Sequence, residues 1–120
     1  MDVRCLIVDD SVRFLDAAEA RLSRNGTTVV GTATTSAEAV CEVERLRPDV
    51  ALVDVSLGAE DGFELTRRLA AQFDSQLRIV LISTRGEEDL AELVAESPAV
   101  GFIPKSRLSP AAVLELLSSS

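Results

Sequence analysis

Five short apolar runs punctuate the chain at Arg4 to Val8, Thr28 to Ala33, Val50 to Val53, Leu77 to Ile82 and Val100 to Ile103. Most are unbroken and rich in Val and Ile, the pattern of strands covered on both faces rather than the strict alternation of a half-exposed sheet. Between them lie stretches of 16 to 23 residues, long enough for the crossover helices that parallel strands require. Five βα units joined by right-handed crossovers predict a doubly wound α/β sheet in strand order 2-1-3-4-5. Ligands then bind outside the carboxyl ends of the strands, near the first and third. The 120 residues fit one domain spanning 1–120, which buries about two thirds of the surface its unfolded chain would expose.

The helix signals agree with this alternation. Ser11 to Asn25 carries Val12, Leu15, Ala18 and Leu22 on one side and stops at Asn25-Gly26, with Asp10 placed to cap its start. Thr35 and Glu38 have the spacing of a capping box, opening a helix that ends near Arg47, before Pro48. Asp61 to Phe73 repeats Leu65, Leu69 and Phe73 every four residues. Glu87 to Glu96 opens on three acids that suit the positive end of a helix dipole. Ser109-Pro110 pairs an N-cap residue with a proline at the first helical position, and that helix runs through Leu117.

Composition narrows the function. A net charge of −8 disfavours binding to nucleic acid through its phosphates. No run approaches the ~20 apolar residues of a membrane span, and no cationic stretch with a cleavage site opens the chain, so a cytoplasmic location is expected. Cys5 and Cys41 have neither zinc spacing nor a disulfide pattern, and both are expected in the core.

Charge ends three of the apolar runs. Asp9-Asp10 follows the first, Asp54 the third, and Lys105, the only lysine among 12 basic residues, follows the fifth after Pro104. Carboxylates gathered at neighbouring strand ends repel one another unless a cation joins them. All-oxygen ligands with room for water and phosphate suit magnesium, with manganese as an alternative. Asp54 can also act as a covalent nucleophile toward phosphorus, with Lys105 sharing in charge neutralisation and the Ser83 hydroxyl donating to a phosphoryl oxygen.

Four stretches then carry a family resemblance: Leu6 to Ser11; Val53 to Leu57 followed by Asp61-Gly62; Ile82-Ser83-Thr84; and Gly101 to Ser106. From about Val3 to Leu117 the chain resembles the receiver domain of bacterial two-component response regulators. The Pro-Lys-Ser ending resembles the NarL/LuxR-like branch. The resemblance implies a flavodoxin-like three-layer (βα)5 sandwich in which Asp54 accepts phosphate from a phosphohistidine on a sensor kinase. It implies that Asp9, Asp10, Asp54 and the backbone carbonyl of Ser56 hold the metal, and that Lys105, Ser83 and the backbone of Thr84 bind the phosphoryl group. Ser83 and Phe102 become the switch pair, with the ring turning inward, and Ser56 and Arg85 tune phosphate lifetime. The fourth helix, fifth strand and fifth helix would meet an output domain, a partner protein or a second copy.

Departures from the commonest family pattern bear on geometry. Gly58 stands where a proline is frequent, which is expected to loosen the loop after Asp54. Ser106 replaces the proline that usually follows the lysine, so a cis Lys-Pro peptide cannot form. No DNA-binding effector domain is visible in this chain, and no enzymatic turnover is expected beyond self-phosphorylation and autodephosphorylation. Two other functions compete. An unphosphorylated receiver-like scaffold would keep the fold without the chemistry. A magnesium-dependent phosphohydrolase working through an aspartyl phosphate wants a second acid two residues after the nucleophile, where Ser56 stands.

Overall fold

Hydrogen bonding pairs the five apolar runs side by side in the computed structural model, which describes residues 2–23, 26–73 and 76–119. Strands β1 (Val3–Val8), β2 (Thr27–Ala33) and β3 (Val50–Asp54) come first. A hairpin of β4 (Ser56–Leu57) and β5 (Glu60–Asp61) follows, and then β6 (Arg78–Ser83) and β7 (Gly101–Pro104). Helices α1 (Val12–Leu22), α2 (Ser36–Leu46), α3 (Gly62–Phe73), α4 (Glu87–Glu96) and α5 (Pro110–Ser119) alternate with them, and Lys105–Arg107 forms a 3-10 turn. Among the described residues the main sheet has five parallel strands in order β2-β1-β3-β6-β7, the expected 2-1-3-4-5 once the hairpin is set aside.

Period-two alternation sends each central strand into two cores. Leu6, Val8, Ala51, Val53, Ile79 and Leu81 face α2, α3 and Leu90 of α4. Cys5, Ile7, Val50, Leu52, Val80 and Ile82 face α1 and α5 through Leu15, Leu22 and Val113. The result is a helix–sheet–helix sandwich whose central strands are closed on both faces, which explains their unbroken apolar sequence.

Several local expectations are corrected. Ser11, not Asp10, caps α1, its hydroxyl accepting from the Phe14 amide. Val12 is 62% exposed, because α1 buries Leu15, Ala18 and Leu22 and turns its first residue outward. The described part of α1 ends at Leu22; the expected stop at Asn25-Gly26 falls partly outside the described residues. Cys5 is buried, but Cys41 is exposed, since α2 buries Ala39, Val40 and Val43 instead. Half of the capping box stands where expected, with Thr35 accepting from the Glu38 amide, while the return bond falls one residue earlier, Glu38 accepting from the amide and hydroxyl of Thr34.

The hairpin was not foreseen. Gly58 turns it at φ +61°, a conformation that proline cannot adopt. Beyond Asp54 the chain pairs with itself, Ser56 opposite Asp61 and Leu57 opposite Glu60. The hairpin is tied to α2, where the Ser36 amide donates to Glu60 at 2.9 Å. Asp61 then opens α3 by accepting from the Phe63 amide at 2.9 Å.

Candidate functional site

Sheet register brings the charged strand ends to one level. Val8 lies opposite Val53, so Asp9 follows β1 beside Asp54 at the end of β3. Asp54 lies opposite Ile82, which puts Ser83 one step beyond it, and Ser83 lies opposite Pro104, which puts Lys105 one step beyond that. Neighbouring strands are only about 4.8 Å apart. Residues far apart in sequence thus converge on one edge without any long loop.

Asp9, Asp10 and Asp54 each offer a carboxylate oxygen, and these atoms all lie within 4.8 Å of one another. Asp9 is fully buried and Asp54 nearly so, whereas Asp10 is exposed. The Asp9 Oδ1 accepts from the Ser11 amide at 2.8 Å, which fixes its carboxylate against the start of α1. The Asp54 Oδ1 accepts from the Ser56 amide at 3.2 Å. On the other side of the acids, the Lys105 ammonium lies 3.1 Å from Asp54 Oδ2 and 2.5 Å from Asp9 Oδ2. The Asp54 contact is a directional hydrogen bond. The Asp9 contact is a close ion pair, and the Lys105 ammonium is the partner that faces the buried Asp9 Oδ2.

Burial pushes the Asp54 carboxyl above its ordinary range; the Ser56 amide and Lys105 pull against that rise, and the Asp9 charge adds to it. Burial alone would lower the Lys105 ammonium, but its contacts with Asp9 and Asp54 outweigh burial and raise it. Three carboxyl groups gathered beside one ammonium that touches only Asp9 and Asp54 make a donor set short of positive charge. An oxygen-binding divalent cation fits that deficit.

Glycine completes the packing around these acids. A Cβ on Gly62 would sit 2.0 Å from the Asp54 backbone oxygen, and one on Gly58 would sit 3.4 Å from Asp10 Oδ2. Ser83, buried at the end of β6, accepts from the Arg85 amide at 3.0 Å. Thr84 and Arg85 lie on the exposed bend that follows, Thr84 in a cleft with Lys105 and Arg85 in a neighbouring one with Arg107. Phe102 stands apart from the acids on edge strand β7, its ring buried at 9% exposure in the core that holds Leu81 and Leu90. The Lys105–Ser106 peptide is trans, as are all others among the described residues.

One contact escaped the sequence. The Phe14 ring lies beneath the Lys105 ammonium, 4.3 Å from nitrogen to ring centre. Its position in the first turn after Asp10 places it near the site, but nothing in sequence links residues 91 positions apart.

Compared with known families, residues 5–117 match the response regulator receiver domain. The chain belongs to that family. The receiver domain is 30% identical to the chemotaxis protein CheY of Bacillus subtilis over 85% of this chain and 84% of that protein. It is 33% identical to a protein-glutamate methylesterase/protein-glutamine glutaminase of Hahella chejuensis over 88% of this chain, but the match spans only 30% of that longer protein. Among solved structures it superimposes on the signal receiver domain of the response regulator NarL from Mycobacterium tuberculosis with a TM-score of 0.85 and 27% identity, covering 99% of this chain and 98% of that one. Among the described residues, no helix is long and apolar enough to cross a membrane.

Proposed function

We propose that this receiver domain accepts a phosphoryl group on Asp54 from a phosphohistidine of a sensor histidine kinase and relays the change to an output domain or partner protein. The carrying observation is the 3.1 Å contact between Lys105 and Asp54 inside the cluster of three acids. In the transfer, an Asp54 oxygen forms a bond to phosphorus as the bond from phosphorus to the donor breaks, and the donor leaves with the electron pair. Lys105 already faces Asp54 Oδ2, so it can follow charge onto a phosphoryl oxygen without crossing the site. Asp9, Asp10, Asp54 and the Ser56 carbonyl would hold magnesium, or manganese, which when bound supplies charge neutralisation for the transferring group.

The output would be a population shift. A phosphoryl group brings about −1.5 to −2 charge units and favours the conformation that best satisfies its oxygens. Ser83, whose hydroxyl accepts only from a local amide, retains its own proton to donate, and the Thr84 backbone offers a second donor. Movement of Ser83 and of Phe102 behind it would register on the face made by α4, β7 and α5. That face is the proposed meeting place for an output domain, a partner or a second copy, in a cytoplasmic setting, with no direct contact to nucleic acid or membrane. The side chains of Ser56 and Arg85 would set how long the phosphate survives.

Incubation with magnesium and acetyl phosphate, or with beryllofluoride, followed by intact mass and peptide mapping, tests this reading against Asp54→Asn. A stable adduct on Asp54 supports it. Catalytic turnover of small phosphoesters would point to a phosphohydrolase, and no adduct would point to a scaffold. Mass is the suitable readout because the chain has no tryptophan.

A further inference from the structure

Lys105 is held from three sides, and only two of them are acidic. Its ammonium touches Asp9, Asp54 and, at 4.3 Å, the face of the Phe14 ring. We infer that Phe14 is a positioning residue for phosphoryl transfer, its ring holding the Lys105 ammonium over the acidic site through a cation–π contact. The inference rests on the phosphoacceptor reading above and adds to it a residue on α1.

A lysine stem is flexible and carries its charge as a point, so an ammonium at a reaction centre needs fixing. Beside it lies a cleft of about 310 Å³ lined by Phe14, Ala17, Arg21, Thr84, Lys105 and Ser106, into which an unrestrained stem could swing. The carboxylate contacts do not suffice through the reaction. Asp54 becomes an acyl phosphate when it takes the phosphoryl group, and Asp9 is committed to a cation if the site is loaded. The ring face alone is unchanged by either event.

The ring is also keyed to the acids through backbone. The Ser11 amide donates to Asp9 Oδ1 at 2.8 Å, and the Ser11 hydroxyl accepts from the Phe14 amide at 3.2 Å. One short turn therefore sets both the Asp9 carboxylate and the platform beneath Lys105. An aliphatic side chain of similar bulk would fill the space without attracting a cation, because the attraction comes from the ring quadrupole.

Phe14→Leu and Phe14→Tyr in the full chain separate attraction from packing. Since Lys105 is the only lysine, lysine labelled with 13C at the ε carbon gives a single resonance from the metal-free protein. Ring-current displacement of its ε-methylene protons is expected in the unmodified chain and in Phe14→Tyr, and is lost in Phe14→Leu. With magnesium and acetyl phosphate, Phe14→Leu should slow adduct formation roughly three- to tenfold, Phe14→Tyr should restore the rate, and Phe14→Leu should add nothing in a Lys105→Ala background. An unchanged rate in Phe14→Leu, an equal loss in the Lys105→Ala background, or no rescue by tyrosine would overturn the positioning role while leaving Asp54 as acceptor. Failure of the unmodified chain to form an adduct would overturn the phosphoacceptor reading, and the positioning role with it.

Discussion

Gly62 packs against the backbone of Asp54 so closely that a Cβ on it would lie 2.0 Å from the Asp54 carbonyl oxygen and 2.7 Å from the Val55 Cα. The obstructing atoms are backbone, so no rotamer change relieves the clash. Gly62 also donates its amide to the Val55 carbonyl at 2.9 Å, which fixes the start of α3 against the end of β3.

Gly62→Ala should therefore destabilise the fold by about 2 kcal/mol or more, despite the ~1 kcal/mol by which alanine is ordinarily preferred inside a helix. It should also slow adduct formation, because the displaced backbone carries the acceptor carboxylate. Gly86→Ala is the control: its Cβ would meet nothing within 4 Å, and the loss should be below about 1 kcal/mol, the size of an N-cap change. Urea melts of both variants decide the matter, and equal losses would remove the steric argument.

Asp54 makes stability depend on pH in an unusual direction for a carboxylate. Its folded pKa is raised from an ordinary value of 3.8 by burial, against the pull of the Ser56 amide and Lys105. The folded state thus holds its proton more tightly than the unfolded chain, and stability attributable to this group falls as pH rises from about 3.8 through the folded pKa. Without metal, Asp54→Asn should melt higher than the unmodified chain at pH 7, and the difference should shrink as pH approaches 4. Lys105 acts at the other end. Its ammonium is favoured by Asp9 and Asp54 beyond its ordinary value of 10.5, so its contribution is complete below that pH and is lost above the folded pKa. A gap between Asp54→Asn and the unmodified chain that does not vary with pH would contradict the assignment.

The two thiols should react very differently. Cys5 is fully buried in β1, and its thiol is pushed up to about 12 by burial and by the Asp49 charge. Cys41 is exposed on α2. Iodoacetamide should add once to the native chain, at Cys41, and twice after unfolding, with peptide mass as the readout.

These particulars show where sequence suffices. The order of strands and the convergence of Asp9, Asp54 and Lys105 were legible because both follow from unbroken apolar runs and the fixed chirality of βα crossovers. Residues whose environment depends on rotation about an element axis were less so: Val12 and Cys41 lie on helices with a clear apolar stripe, yet outside it. The hairpin at Ser56–Leu57 and Glu60–Asp61 has two-residue strands, too short for any periodicity to register, and its turn depends on the positive φ of Gly58. Phe14 was missed because its contact with Lys105 is made across the sheet's open end, where sequence spacing carries no information.

Metal should report on the acids directly. Three carboxyl groups and one ammonium share the site, and the ammonium reaches only Asp9 and Asp54. A cation that binds only the folded chain stabilises it by roughly 1.4 kcal/mol at tenfold excess over its dissociation constant, which is a melting shift of several degrees for a domain of this size. Magnesium should therefore raise the melting temperature, and EDTA should reverse the rise. Asp10 is the informative variant, because its exposed side chain can be changed to Asn with little cost to packing. Asp10→Asn should melt at or slightly above the unmodified chain in EDTA, since one repelling charge is gone, and should lose most of the response to magnesium. If it responded as fully as the unmodified chain, the cation would be acting elsewhere and the three acids would not be its ligands.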